Sequence, residues 1–245
     1  MPNSQNWSRV LVGALASVLM LSPVAAWAVP FGTNLIVNGD AESGLGGNGY
    51  ALVAAPGWTI VGNATVALYG SAGGFPTSSD PGPVSRGLNF FAGGPDSAAS
   101  SMSQFLDVSS SAGAIDTGLV SFALEGFLGG FLDHPDQAVL TATFLDGSNG
   151  FLGSATIGPV SNLDRGNVTE LLARSTNGFV PLGTRGIKFD LSYTRFLGAY
   201  DDGYADNLSL ILRGDATASV PEPATLLLVA SGLTAFGIVA RRRRR

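Results

Sequence analysis

An all-β sandwich with a membrane-directed segment at each end is the fold this sequence predicts. Three observations carry the prediction. Turn clusters rich in glycine, proline and asparagine recur along the middle of the chain. The runs between them are short, and either alternate in polarity or are rich in β-formers. The long uncharged apolar runs are confined to the two ends. Many short strands joined by Gly/Pro turns are the signature of a sandwich rather than of a helical or α/β fold.

The first element is an export signal. Arg9 precedes the uncharged run Val10–Leu21, Ser22-Pro23 breaks it, and Ala26-Trp27-Ala28 places small residues where a signal peptidase needs them. Residues 1–28 therefore read as a signal peptide, with the mature chain starting near Val29.

Residues 29–214 read as one β domain. Its turns fall at Gly44–Gly49, Gly73-Gly74, Asp80–Pro83 and Asp146–Gly150. Strands are expected at Asn34–Asn38, Trp58–Val61, Thr65–Tyr69, Leu88–Phe91, Ser101–Val108, Leu119–Gly126, Ala138–Leu145, Phe151–Ile157, Gly186–Tyr193 and Ala205–Leu212. Ile187–Tyr193 alternates as a half-buried strand should. One helical turn is expected at Val168–Arg174. Residues 215–219 are small and polar and read as a linker.

Residues 220–245 form the last element. Pro221-Glu222-Pro223 holds the backbone extended, because proline supports neither a helix interior nor a ladder. Ala224–Ala240 follows, 17 residues without a charge. As a helix it is about 25 Å long, at the lower limit for crossing a bilayer. Arg241–Arg245 then stop transfer, at about 2.5–3.5 kcal/mol per arginine buried at mid-membrane. The arginines stay cytoplasmic, so the domain lies on the far side.

Charge and cysteine usage narrow the function classes. Residues 29–219 carry seven basic and 17 acidic side chains, a net charge of −10. A nucleic-acid footprint would need the opposite sign. With no cysteine and the single histidine His134, thiol catalysis, iron–sulfur clusters and multi-histidine zinc sites are excluded. There is no P-loop and no G-x-S-x-G around any serine, so no catalytic constellation is legible. His134 lies between Asp133 and Asp136 in a loop, as a solvated side chain or a metal ligand.

The C-terminal order of Pro-Glu-Pro, one short span and an arginine cluster resembles the bacterial PEP-CTERM sorting signal. The matching positions are Pro221, Glu222 and Pro223, with Arg241, Arg242 and Arg243 opening the cluster. The resemblance implies transient anchoring in the inner membrane by a C-terminal helix and processing by an exosortase-type enzyme. Release to the cell surface or extracellular matrix, in a bacterium that makes exopolysaccharide, would follow.

A second resemblance lies inside the domain. Asn34-Leu35-Ile36-Val37-Asn38-Gly39-Asp40-Ala41-Glu42 resembles the first strand of galactose-binding-like jelly rolls, a class that includes many carbohydrate-binding modules. The pattern there is N-L-(hydrophobic)-x-N-G-D-F-E, and Ala41 replaces its aromatic. Asp206-Asn207-Leu208-Ser209-Leu210 resembles the last strand, and Ser103–Val108 an internal one. In that class the first and last strands run side by side and often share a structural calcium. The implied ligands are Asp40, Glu42 and Asp206, with Asn38 and Asn207 adding oxygens. Calcium takes six to eight hard oxygens at about 2.3–2.6 Å, which carboxylates and amides supply. The alternative is a solvated turn at Asn38-Gly39-Asp40.

Sugar binding needs exposed aromatic faces beside polar groups. Tyr50, Trp58, Tyr69, Tyr200 and Tyr204 are the candidates, with Trp58, Tyr200 and Tyr204 carried forward and core packing the competing role for Trp58. The expected function is that of an exported, non-catalytic surface or matrix protein that binds exopolysaccharide. A structural or adhesive matrix protein, and less so a secreted polysaccharide hydrolase, are the alternatives.

Overall fold

The computed structural model describes residues 29–214. The signal peptide, the linker and the sorting tail lie outside the described residues. Among the described residues no helix is long and apolar enough to cross a membrane.

Among the described residues ten strands form two antiparallel sheets. They are β1 (Thr59–Val61), β2 (Thr65–Leu68), β3 (Asn89–Pro95), β4 (Ala99–Asp107), β5 (Ser121–Gly130), β6 (Gln137–Leu145), β7 (Phe151–Ile157), β8 (Glu170–Phe179), β9 (Gly186–Thr194) and β10 (Tyr200–Arg213). One sheet has the order β1-β4-β9-β6-β7, the other β2-β3-β10-β5-β8. A 3₁₀ turn at Ser109–Ser111 and a short helix, α1 (Ala112–Ile115), join β4 to β5.

The core lies between the sheets. Leu140, Phe144, Phe189 and Leu191 from one sheet meet Phe122, Leu124, Leu208 and Leu210 from the other, all buried. The rings of Phe122 and Phe144 lie 5.1 Å apart across the gap. In β6 the pattern alternates residue by residue between buried and half-buried, as a strand with one apolar face must.

Two expectations are corrected. Val168–Arg174 makes no helical turn: Glu170–Phe179 is a full strand, paired with β5 from Ser121↔Phe179 to Gly130↔Glu170. The Glu-Leu-Leu-Ala-Arg run favours a helix locally, and ten cross-strand pairs override that small preference. Asn34–Asn38 makes one bridge, Asn34↔Ile211, and then turns. It does run beside the last strand, as the resemblance implies.

β10 organises its sheet. It pairs with β3 and β5 and is irregular twice, between Asp201 and Tyr204 and between Asp206 and Ser209. Asn207 takes the second irregularity at φ 48°, a conformation asparagine tolerates better than most residues. Tyr200 and Tyr204 consequently join an aromatic layer outside the core with Phe75 and Phe90, while Leu208, Leu210 and Leu212 point inward.

Candidate functional site

The predicted metal ligands are gathered, but not into one coordination shell. Asn34 stitches the N-terminal segment to β10: its Oδ1 accepts from the N–H groups of Ile36 at 2.9 Å and Leu210 at 3.1 Å. The N–H of Leu208 donates to the carbonyl of Gly39 at 2.8 Å. A Cβ on Gly39 would stand 2.1 Å from the carbonyl oxygen of Leu208, so only glycine fits that approach. Asn38 shapes the turn: its Oδ1 accepts from the N–H of Ser43, and its amide donates to the carbonyl of Pro56, both at 2.9 Å. Glu42 Oε1 accepts from the N–H groups of Leu88 at 2.8 Å and Asn89 at 2.7 Å. Asp40 is exposed, and its Oδ1 accepts from the N–H of Glu42 at 3.3 Å. The amide of Asn207 donates to Ser85.

Asp206 is the unusual member. It is fully buried and accepts from the Tyr69 hydroxyl at 2.8 Å and the Asn207 N–H at 2.7 Å. Burial, with the charges of Glu42 and Asp40 adding to it, pushes its carboxyl up to about 8. Burial and the Asp206 charge push the Tyr69 phenol up as well. Among the described residues no basic side chain forms an ion pair with Asp206. A buried carboxylate repelled by two others is a donor set that suits a hard cation. The Asp40, Glu42 and Asp206 side chains fit calcium in type.

The histidine and acidic side chains that do bring three ligand atoms within 4.8 Å of one another are His134, Asp136 and Asp202. The first two come from the β5–β6 loop and the third from β10. Their oxygens are already used in holding loops. Asp136 accepts from the N–H groups of Phe196, Leu197 and Asp202. Asp202 bonds His134 Nδ1 at 2.9 Å and accepts from the Tyr204 hydroxyl at 2.6 Å. Arg165, 1% exposed, donates to the carbonyls of Gly130, Leu132, Val168 and His134. Neighbouring Asp201 has a buried Oδ2 without a hydrogen-bond partner, and burial pushes its carboxyl up to about 7.

The predicted sugar-binding aromatics are corrected. Trp58 is 8% exposed, Tyr200 3% and Tyr204 1%. No ring face is left for a sugar. Trp58 packs edge-on against Phe91 and donates its indole N–H to the carbonyl of Asn38. Tyr50 is the exposed candidate of the set, at 57%, and stacks on Tyr200 at 4.9 Å.

An open groove lies instead on the outer face of β5, β8 and β10, with a volume of about 360 Å³. Phe179, 67% exposed, stands at its end. Glu125, Ser175, Asn177 and Arg213 line it beside Phe179, and all four are exposed. Strand pairing brings them together: Glu125 sits opposite Ser175 and Ser209, and Ser121 opposite Phe179 and Arg213. One face of a strand collects every second residue, so Ser175, Asn177 and Phe179 point the same way. The sequence signal was the alternation of β8, which a helical reading of its first half obscures.

Comparison with known proteins gives three kinds of result. No curated protein matches the sequence. Among solved structures, the enzymatically active domain of tailspike protein 4 of bacteriophage CBA120 is similar over 74% of this chain, with 16% identity and a TM-score of 0.45; the chain spans 21% of it. The endo-1,4-β-D-xylanase 10B modules of Clostridium thermocellum, complexed with xylohexaose, are similar over 76% of this chain, with 13% identity and a TM-score of 0.40; the chain spans 29% of them. The xylan-binding domain of Paenibacillus barcinonensis is similar over 65% of this chain and 88% of its own length, with 14% identity and a TM-score of 0.37. Among family models, residues 219–245 match the PEP-CTERM protein-sorting motif, so the chain ends in an export-linked sorting signal of that class.

Proposed function

We propose that this is an exported protein whose sandwich, a galactose-binding-like jelly roll, binds carbohydrate of the cell surface or matrix without turning it over. The sorting motif supports export and processing of the tail by an exosortase-type enzyme. The groove carries the binding half: an exposed ring at the end of a row of hydroxyl, amide, carboxylate and guanidinium groups on one sheet face. The ring of Phe179 stacks on the apolar face of a sugar, and Glu125, Asn177 and Arg213 bond its hydroxyls. The groove is open along the sheet, which suits an internal stretch of a polysaccharide. It contains the single carboxylate Glu125, whereas glycoside hydrolysis ordinarily uses two. Calcium held by Asp40, Glu42 and Asp206 would draw these side chains together and pin the N-terminal segment to β10.

The test is a binding isotherm of residues 29–219 against exopolysaccharide purified from the producing strain. Saturable binding is expected, weakened about tenfold by Phe179→Ala, the loss of one good stacking contact. Flat isotherms for the unmodified domain sink the proposal.

A further inference from the structure

One end of the sandwich carries apolar side chains that neither the core nor the groove uses. Leu119 is 72% exposed, Phe151 70%, Leu182 61% and Leu152 36%. They come from three segments in mutual contact. A Cβ on Gly118 would meet Leu182 at 3.3 Å, and one on Gly183 would meet Leu152 at 3.9 Å. The N–H of Val180 donates to the carbonyl of Val120 at 2.8 Å, closing the loop beside them.

The domain's two chain connections are at this same end. Arg213 makes the last pair of β10, opposite Ser121, and a Cβ on Gly214 would meet Val120 at 3.2 Å. The N–H of Gly32 donates to the carbonyl of Leu212 at 2.9 Å. From Gly214 the apolar run beginning at Ala224 is ten residues away, a reach of at most about 33–36 Å. Of the seven basic residues in 29–214, Arg185, Lys188 and Arg213 lie toward this end, where Arg185 pairs with Asp116 and Lys188 with Asp190.

We propose that this end, through Leu119, Phe151, Leu152 and Leu182, seats on the lipid bilayer that holds the tail. The inference rests on reading the tail as a membrane anchor. The short tether holds this end of the domain near the interface, where exposed Leu and Phe side chains bury apolar area among the headgroups. The ion pairs Arg185–Asp116 and Lys188–Asp190 offset part of the acidic charge at this end, which lowers the repulsion expected of a domain with net negative charge.

The chain has no native cysteine, so one introduced thiol reports one position. Leu182→Cys and Leu163→Cys are each made in the full chain, labelled with a polarity-sensitive dye and inserted into phosphatidylcholine–phosphatidylglycerol vesicles. Leu163 is the control: it is 77% exposed, equally apolar, and lies in the β7–β8 loop at the opposite end. Emission at Leu182→Cys should shift to the blue and be quenched by a spin label carried on the lipid, while Leu163→Cys is unchanged. Vesicle flotation without quenching at Leu182→Cys overturns the docking and leaves the anchor standing. Failure to float overturns both. Dye-to-dye transfer between copies without lipid quenching identifies a second copy as the occupant and also overturns the proposal.

Discussion

At the scale of single residues, Asp206 concentrates the electrostatic strain of the molecule. Its carboxyl is pushed up to about 8 and that of Asp201 up to about 7, against an ordinary value of 3.8 for both, with burial the chief cause. Between about pH 4 and pH 8 the folded chain therefore holds protons that the unfolded chain has lost. Stability falls as pH rises through that window and levels off above it. Without metal, the melting temperature at about pH 5 should exceed that at about pH 8, and Asp206→Asn should remove part of the difference. On the proposed calcium site, the metal would bind the ionised form, so calcium should raise the melt far more at about pH 8 than at about pH 5. An equal calcium effect in the Asp206→Asn chain would rule this carboxylate out as a ligand. The resemblance drew attention to Asp40, Glu42 and Asp206 in the sequence. Their repulsion was not legible there, because the burial of Asp206 depends on Tyr69 and on the turn at Asn207, far apart in sequence.

At the scale of elements, β10 and what docks on it decide the architecture. Gly39 presses its backbone against Leu208 so closely that a Cβ would fall 2.1 Å from the carbonyl oxygen. Gly39→Ala should lower stability by about 2–3 kcal/mol, read by urea unfolding, since backbone on both sides must move. A change within experimental error would show that the N-terminal segment is loosely held. The strands whose polarity alternates, such as Ile187–Tyr193, were legible because a single apolar face leaves a period of two in the sequence. β8 was not. Its first half is made of good helix formers, and its strand identity comes from Ser121–Gly130 beside it. The groove was hidden for the same reason, since Ser175, Asn177 and Phe179 share a face only in a strand. Tyr200 and Tyr204 flank Asp201-Asp202-Gly203 in sequence and suggest an exposed loop; the run is instead the start of a central strand, with both rings buried.

At the scale of the whole molecule, the sorting signal and the sandwich are separate instructions. The sorting motif was legible because hydropathy, proline and arginine act through composition and order, without partners elsewhere in the chain. Replacing Pro221 and Pro223 by alanine in the producing strain should leave a full-length species in the membrane fraction, because the proline motif is lost. Normal processing of that variant would separate the tail's fate from its proline motif. If, as proposed, the domain is held from its C-terminus while a polymer pulls on the groove, it becomes a mechanical link. Force then runs along β10, the central strand of its sheet, and down β5 and β8. Pulled along its axis, β10 loads its hydrogen bonds to β3 and β5 in shear, so they must yield together rather than unzip one at a time. The N-terminal segment, bonded to β10 at Leu208, Leu210 and Leu212, shares the load at that end.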